Sequence, residues 1–165
     1  MSSEPQIIER AEQPYVAIKV IVSMDELGTA VPPLNQQVFS WLGEHGGTPA
    51  GPPFWKYNVI DMPNHLELEP GVAVAQTVTS NGRVQAGVLP AGRYVSMHHI
   101  GHPSTLMEAT GSLLQWAAAQ GLRWDVQQTP EGEHWACRLE LYHTDPREEP
   151  DMNRWDTELL FKLAD

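Results

Sequence analysis

Hydrophobic positions along the chain switch between two periods, and the switches fall at glycines and prolines. After a polar N-terminal tail, Val16, Ile18, Val20 and Val22 alternate with Ala17, Lys19 and Ile21. That period of two predicts a strand with one buried face. Ser23 and Glu26 have capping-box spacing and open a helical region, which Pro32-Pro33 interrupts. Leu34, Val38, Trp41 and Leu42 then recur at helical spacing up to the stop at Gly46-Gly47. Gly51-Pro52-Pro53 turns into a strand from Phe54 to Ile60. A short strand over Leu66 to Glu69 is expected to turn at Pro70-Gly71 into another over Val72 to Thr77.

The polar stretch from Thr79 to Gly87 reads as a link, after which the grammar repeats. A strand from Arg93 to Ile100 leads through Gly101-His102-Pro103 into a helix. Leu106, Thr110, Leu113 and Ala117 mark the buried face of that helix, and Gly121 ends it. Strands follow from Trp135 to Tyr142 and from Trp155 to Leu163, joined by turn-rich sequence from Asp145 to Asn153. Trp41 and Gly46 stand five apart, as do Trp116 and Gly121, so both ends carry the same offset. Element order and this shared spacing predict a duplication. The expected fold is α+β: two β-α-β-β units forming a curved antiparallel sheet, with helices on one side and a ligand pocket at the pseudo-twofold. A single domain over 1–165 would contain repeats at 14–78 and 88–165. Helices this few leave one sheet face to curl, meet solvent or hold something.

Composition narrows the function classes. A chain of 165 residues can bury a core without a metal or disulfide staple, and the single Cys137 excludes an internal disulfide. No apolar run reaches the length of a membrane span, and Met1 to Pro5 lacks the character of a signal peptide. The expected location is the cytoplasm. Twenty-one acidic residues against ten Lys and Arg give a net charge of −11. Such a surface repels nucleic acid and attracts cations, and no helix-turn-helix pattern precedes the domain. Direct nucleic-acid and membrane partners are therefore not expected.

Few residues offer chemistry on their own. His98, His99 and His102 are close in sequence, but neighbours on a strand face opposite ways, and no metal-binding motif accompanies them. Neither a metal nor a cofactor is expected. Cys137 lies on an apolar row with Trp135, Leu139 and Leu141, where a thiol is inert. Arg138, Glu140 and Tyr142 share the other side of that strand. Periodicity leaves open a plain solvated face with an Arg138–Glu140 ion pair, worth under ~1 kcal/mol.

An ordered set of short segments changes the weighting. Gly51-Pro52-Pro53-Phe54 with Tyr57, Leu89 to Tyr94, His99-x-Gly101, Trp116-Ala117 and Gly121-Leu122 lead to Glu140 to Pro146 and then Trp155 to Leu159. From about Pro14 to Leu163 the chain resembles the GyrI-like small-molecule-binding family, which includes effector-binding domains of multidrug-sensing transcription regulators. It departs at Gly101-His102-Pro103, where the family commonly has Gly-Pro-Tyr.

The resemblance implies that Glu140 sits inside a pocket and meets cationic ligands. Trp155, Tyr57, Trp55, Phe54 and Tyr142 are the candidate rings around it, and Glu158 is a second acid that assists or caps the edge. The implied function is stand-alone binding of hydrophobic, often cationic aromatic molecules, as drug or xenobiotic sequestration or sensing. An alternative is hydrolysis of cyclopropanoid DNA-alkylating natural products, as in some stand-alone members. Glu140 would then be general base and Tyr142 or Tyr57 the proton donor. A gyrase contact has only the origin of the family's name behind it.

Overall fold

In a computed structural model the structure describes residues 1–61 and 64–164. Its framework is an antiparallel sheet that curls into a half-barrel. The strands are β1 (Gln6–Arg10), β2 (Gln13–Ile18), β3 (Val20–Val22), β4 (Pro49–Asp61), β5 (His65–Val74), β6 (Val84–Leu89), β7 (Gly92–Ile100), β8 (Val126–Thr129), β9 (Gly132–Trp135), β10 (Arg138–Tyr142) and β11 (Asp156–Lys162). The helices are α1 (Met24–Ala30), α2 (Pro32–Glu44) and α3 (Leu106–Ala119). No helix among the described residues is long and apolar enough to cross a membrane.

The main strand order is β1-β7-β11-β10-β4-β5-β2-β6. Its central six read β7-β11-β10 from one side and β2-β5-β4 from the other, so the two β-α-β-β units meet at the β10–β4 pairing. That pairing matches Leu139 with Lys56, Glu140 with Trp55 and Leu141 with Phe54, so Glu140 and Trp55 form its middle rung.

Local sequence explains the helices. Ser23 and Glu26 form the complete capping box at α1. Pro32 and Pro33 begin α2 at positions where a missing N–H costs nothing. Gly46 and Gly121 follow the last turns of α2 and α3 with φ of 71° and 72°, a left-handed conformation that glycine adopts freely. Leu34, Val38 and Leu42 of α2 bury against Val16, Val72 and Val74, and Ala109 and Leu113 of α3 against Val95, Met97 and Leu159. Val22 and Tyr57 lie under α1, with Leu27 beside them. All three helices thus pack on one face. The other face closes around its own core of Tyr15, Phe54, Tyr94, Cys137, Leu139, Leu141 and Leu160.

Several expected boundaries shift. The N-terminal segment is not a tail, since Gln6–Arg10 pairs with β7 as an edge strand. Pro70-Gly71 makes no turn, because β5 runs straight through it. Pro70 pairs with Trp55 on the β4 side, and on its other side it falls opposite the break between β2 and β3, where no partner needs its N–H. A Cβ on Gly71 would lie 2.4 Å from the Val16 carbonyl oxygen, so the strand crossing there requires glycine. The expected link becomes strand again from Val84, which pairs with β2. The strand predicted over Trp135 to Tyr142 breaks at Ala136–Cys137, which moves Trp135 off the apolar row and onto the helix-bearing face beside Phe161.

Candidate functional site

Four of the residues singled out from the sequence, Glu140, Tyr142, Trp55 and Tyr57, converge at the β10–β4 junction. Glu140 and Tyr142 lie two apart on β10, and Trp55 faces Glu140 across the ladder, so alternation puts all three on the helix-bearing face. Tyr57, two residues from Trp55, shares that face. The Tyr142 hydroxyl donates to Glu140 Oε1 at 2.7 Å, and the Tyr57 hydroxyl donates to the same oxygen at 3.2 Å. Among the described residues none donates to Oε2. Trp55 meets Tyr142 edge to face at 5.5 Å, and its Nε1 donates to Asn35 Oδ1 on α2 at 2.7 Å. Asn35 in turn donates to the carbonyls of Phe54 and Gly71, which ties α2 to the sheet beside the cleft.

The electrostatics follow from this enclosure. Burial pushes the Glu140 carboxyl above its usual range, against the opposing pull of the Tyr142 and Tyr57 hydroxyls and the Arg138 charge. Glu140 nevertheless keeps some exposure to solvent. Burial and the adjacent Glu140 carboxylate also raise Tyr57 and Tyr142, so both phenols stay protonated and act as donors.

Arg138 forms no ion pair with Glu140 among the described residues. Its guanidinium lies 4.5 Å from the Phe161 ring centroid, 4.8 Å from Trp135 and 6.0 Å from Tyr57. The cation is therefore held by aromatic faces, and burial lowers its pKa. Sequence reasoning missed both Asn35 and this cage. The cage was invisible because the β9–β10 break, which brings Trp135 to Arg138, interrupts an otherwise unbroken alternation.

Other candidates lie elsewhere. Extended Trp155 adjoins β11 two residues beyond the Thr157–Tyr142 pair, and its Nε1 donates to the Glu149 carbonyl at 2.8 Å. Phe54 is fully buried on the opposite face and packs edge-on to Tyr15 at 5.7 Å, because its register differs from that of Trp55 by one residue. Glu158 also points to the opposite face, since it pairs with Leu141 rather than with Glu140. It accepts from the Ser96 hydroxyl at 2.5 Å and lies 2.8 Å from His143 Nε2. Neither Phe54 nor Glu158 shares the face that carries Glu140. A separate cavity of about 530 Å³ opens between His45–Thr48 and Ala75–Thr79, and no carboxylate lines it.

No curated protein sequence matches the chain. Among solved structures, the C-terminal domain of EcmrR aligns with a TM-score of 0.75 at 20% identity, covering 98% of this chain and 97% of that one. The chain spans 57% of the longer EcmrR chain seen in its complex with DNA. SAV2435 bound to tetraphenylphosphonium aligns with a TM-score of 0.65 at 9% identity, covering 98% and 94%. A hydrolase from Listeria innocua aligns with a TM-score of 0.61 at 17% identity, covering 98% and 92%. These likenesses show a shared fold. A family model matches residues 3–164, nearly the whole chain, and the protein belongs to the GyrI-like small molecule binding domain family.

Proposed function

We propose that the protein binds hydrophobic aromatic cations at the aromatic side chains around Glu140, for sequestration or sensing of drugs and other xenobiotics. One observation carries this reading: a half-buried carboxylate among aromatic side chains, held on one oxygen by two neutral phenols and without a donor on the other among the described residues. Such a group has no ion-pair partner in direct contact among the described residues, and Arg138 acts on it only at a distance. A bound cation supplies one, favours the charged form of the carboxyl and gains from the low local dielectric. Trp55, Tyr57 and Tyr142 supply ring faces and edges, with Trp155 at the strand end; each contact adds roughly 0.5–2 kcal/mol without demanding one ligand shape. The Trp55–Tyr142 edge-to-face contact runs diagonally across the β4–β10 ladder beside Glu140, so a ligand that meets the carboxylate also meets these rings. SAV2435, of the same fold, binds a large lipophilic cation, which supports this choice of class. The excess of acidic residues favours approach of cations. The buried Cys137 suits a reducing cytoplasm, where we place the activity.

Tetraphenylphosphonium and tetraphenylborate test the electrostatics, because they share shape and differ in charge. Calorimetry should show the cation binding at least about tenfold more tightly than the anion. Equal affinities would overturn the reading.

A second reading, hydrolytic opening of a cyclopropanoid alkylator, is favoured by the pairing of a carboxylate of raised pKa with two protonated phenols. Glu140 would take a proton from water as the water oxygen bonds to the ring carbon. The electrons of the broken carbon–carbon bond would move into the conjugated ring system, and a tyrosine would protonate or hydrogen-bond the resulting phenolate. Mass spectrometry of an alkylator incubated with the protein should show a product heavier by one water. That product should be absent with Glu140→Gln.

A further inference from the structure

On the sheet face opposite the Glu140 cleft, three strands bring two imidazoles and two carboxylates to one place. His98 comes from β7, Asp156 and Glu158 from β11, and His143 from the residue after β10. One ligand atom each from His98, His143 and Glu158 lies within 4.8 Å of the others. His143 Nε2 is 2.8 Å from Glu158 Oε1, and His98 Nε2 is 3.8 Å from the same oxygen. The two imidazole rings stack at 5.2 Å. We propose that His98, His143 and Glu158 form a divalent transition-metal site of the zinc class, separate from the small-molecule cleft.

The supporting contacts give this cluster a built character. His98 Nδ1 lies 2.9 Å from one Asp156 oxygen and 3.2 Å from the other. When Nδ1 donates its proton there, Nε2 presents its lone pair toward Glu158 and His143. A carboxylate behind a histidine in this way fixes the tautomer and ring orientation of a metal ligand. The Ser96 hydroxyl donates to Glu158 Oε2 at 2.5 Å, which leaves Oε1 directed at both imidazoles. Asp156 is anchored through its own N–H, which donates to the Thr144 hydroxyl at 2.9 Å.

Two nitrogens and one carboxylate oxygen suit zinc, nickel or copper and discriminate against magnesium and calcium, which take oxygen ligands. Tetrahedral zinc holds its ligand atoms roughly 3.3 Å apart, so a small rotation of the exposed His143 ring closes the set. The solvent-facing side leaves a fourth position for water. Sequence spacing set aside the neighbouring histidines His98, His99 and His102 as a metal set, and only His98 of these joins the cluster. His99 turns away toward Ser2 and Thr105, and His102 caps the turn before α3. The true partners come from strands that are distant in sequence.

Zinc chloride titrated into the protein by calorimetry should show one ion bound per chain, while magnesium chloride gives no saturable heat. His143→Ala and Glu158→Gln should each weaken zinc binding by at least about tenfold. Asp156→Asn, which touches no metal, should weaken it by roughly 10–100-fold. Cobalt provides a readout that needs no variant: visible absorption bands of a four-coordinate site with nitrogen ligands should appear at one equivalent in the unaltered protein. Absence of a one-to-one zinc isotherm, or unchanged affinity in folded His143→Ala and Asp156→Asn, overturns the proposal. So does a cobalt spectrum no different from that of the aqueous ion.

Discussion

Glu140 and Glu69 are both enclosed carboxylates on neighbouring parts of one sheet, yet their surroundings differ. Glu69 lies on the opposite face, where Tyr15 donates to Oε1 at 2.9 Å and Asn58 to Oε2 at 2.6 Å. Lys56 stands 3.5 Å from Oε2. Both of its oxygens have donors, and a cation neutralises it. Glu140 has two phenols on one oxygen and no ion pair, and the nearest cation is engaged by aromatic rings. A buried polar network with every member satisfied rigidifies a core, whereas a charge left without a counter-ion is an unmet demand. The contrast teaches that burial of an acid does not mark a site; missing partners do.

The largest expected effect breaks the satisfied network. Lys56→Met leaves Glu69 buried without its cation and should cost about 3–5 kcal/mol in chemical denaturation, with tetraphenylphosphonium affinity nearly unchanged where the variant is folded. A loss below about 1 kcal/mol would show that Glu69 does not depend on Lys56.

Glu140→Gln should do the reverse. Cation affinity should fall by about 1–3 kcal/mol, since the ligand charge loses its partner. Stability of the free protein should hold or rise at neutral pH, and the sign follows from linkage. The folded-state pKa of Glu140 is raised above its ordinary 4.5, so the native chain binds this proton more tightly than the unfolded chain. Its contribution is fully present below 4.5 and is lost as pH rises through the folded value. Glutamine removes that loss, and thermal melts between pH 4 and 8 should show a flatter profile in the variant. An unchanged profile together with unchanged affinity would dissolve the contrast with Glu69.

The smallest effect sharpens the comparison. Tyr142→Phe removes the 2.7 Å bond and should weaken cation binding by about 1 kcal/mol at pH 7. The pH at which affinity is half lost should also move upward, because the phenol helps hold the carboxyl ionised. A pH midpoint that stays in place or moves downward would remove Tyr142 from the site.

These contrasts were unevenly legible in the sequence. Alternation along β10 grouped Arg138, Glu140 and Tyr142 correctly, and two glycines at matched offsets located the ends of α2 and α3. Phe54 and Glu158 could not be sorted, because one residue of register moves a side chain to the other face, and register is fixed by cross-strand pairing. Lys56 and Glu69 stand 13 residues apart in unremarkable strand sequence, so their pairing becomes visible only once β4 lies against β5. Pro70-Gly71 misled for a related reason. Turn chemistry is local, but the break between β2 and β3 that accommodates this proline belongs to another segment of chain.

A repeated framework ordinarily offers two copies of anything built upon it. Here the centre of repetition falls on the Glu140–Trp55 rung, so the two copies coincide at a single place. Saturation is then expected at one ligand per chain, and neither half alone owns a complete floor. The tyrosines two residues beyond each member of that rung, Tyr57 and Tyr142, reach inward to the same carboxylate oxygen as mirror contributions from the two halves. At the rung itself the symmetry breaks, since one half places a carboxylate there and its counterpart places an indole. Divergence at that rung turns a duplicated scaffold into a receptor with a charged side and an aromatic side.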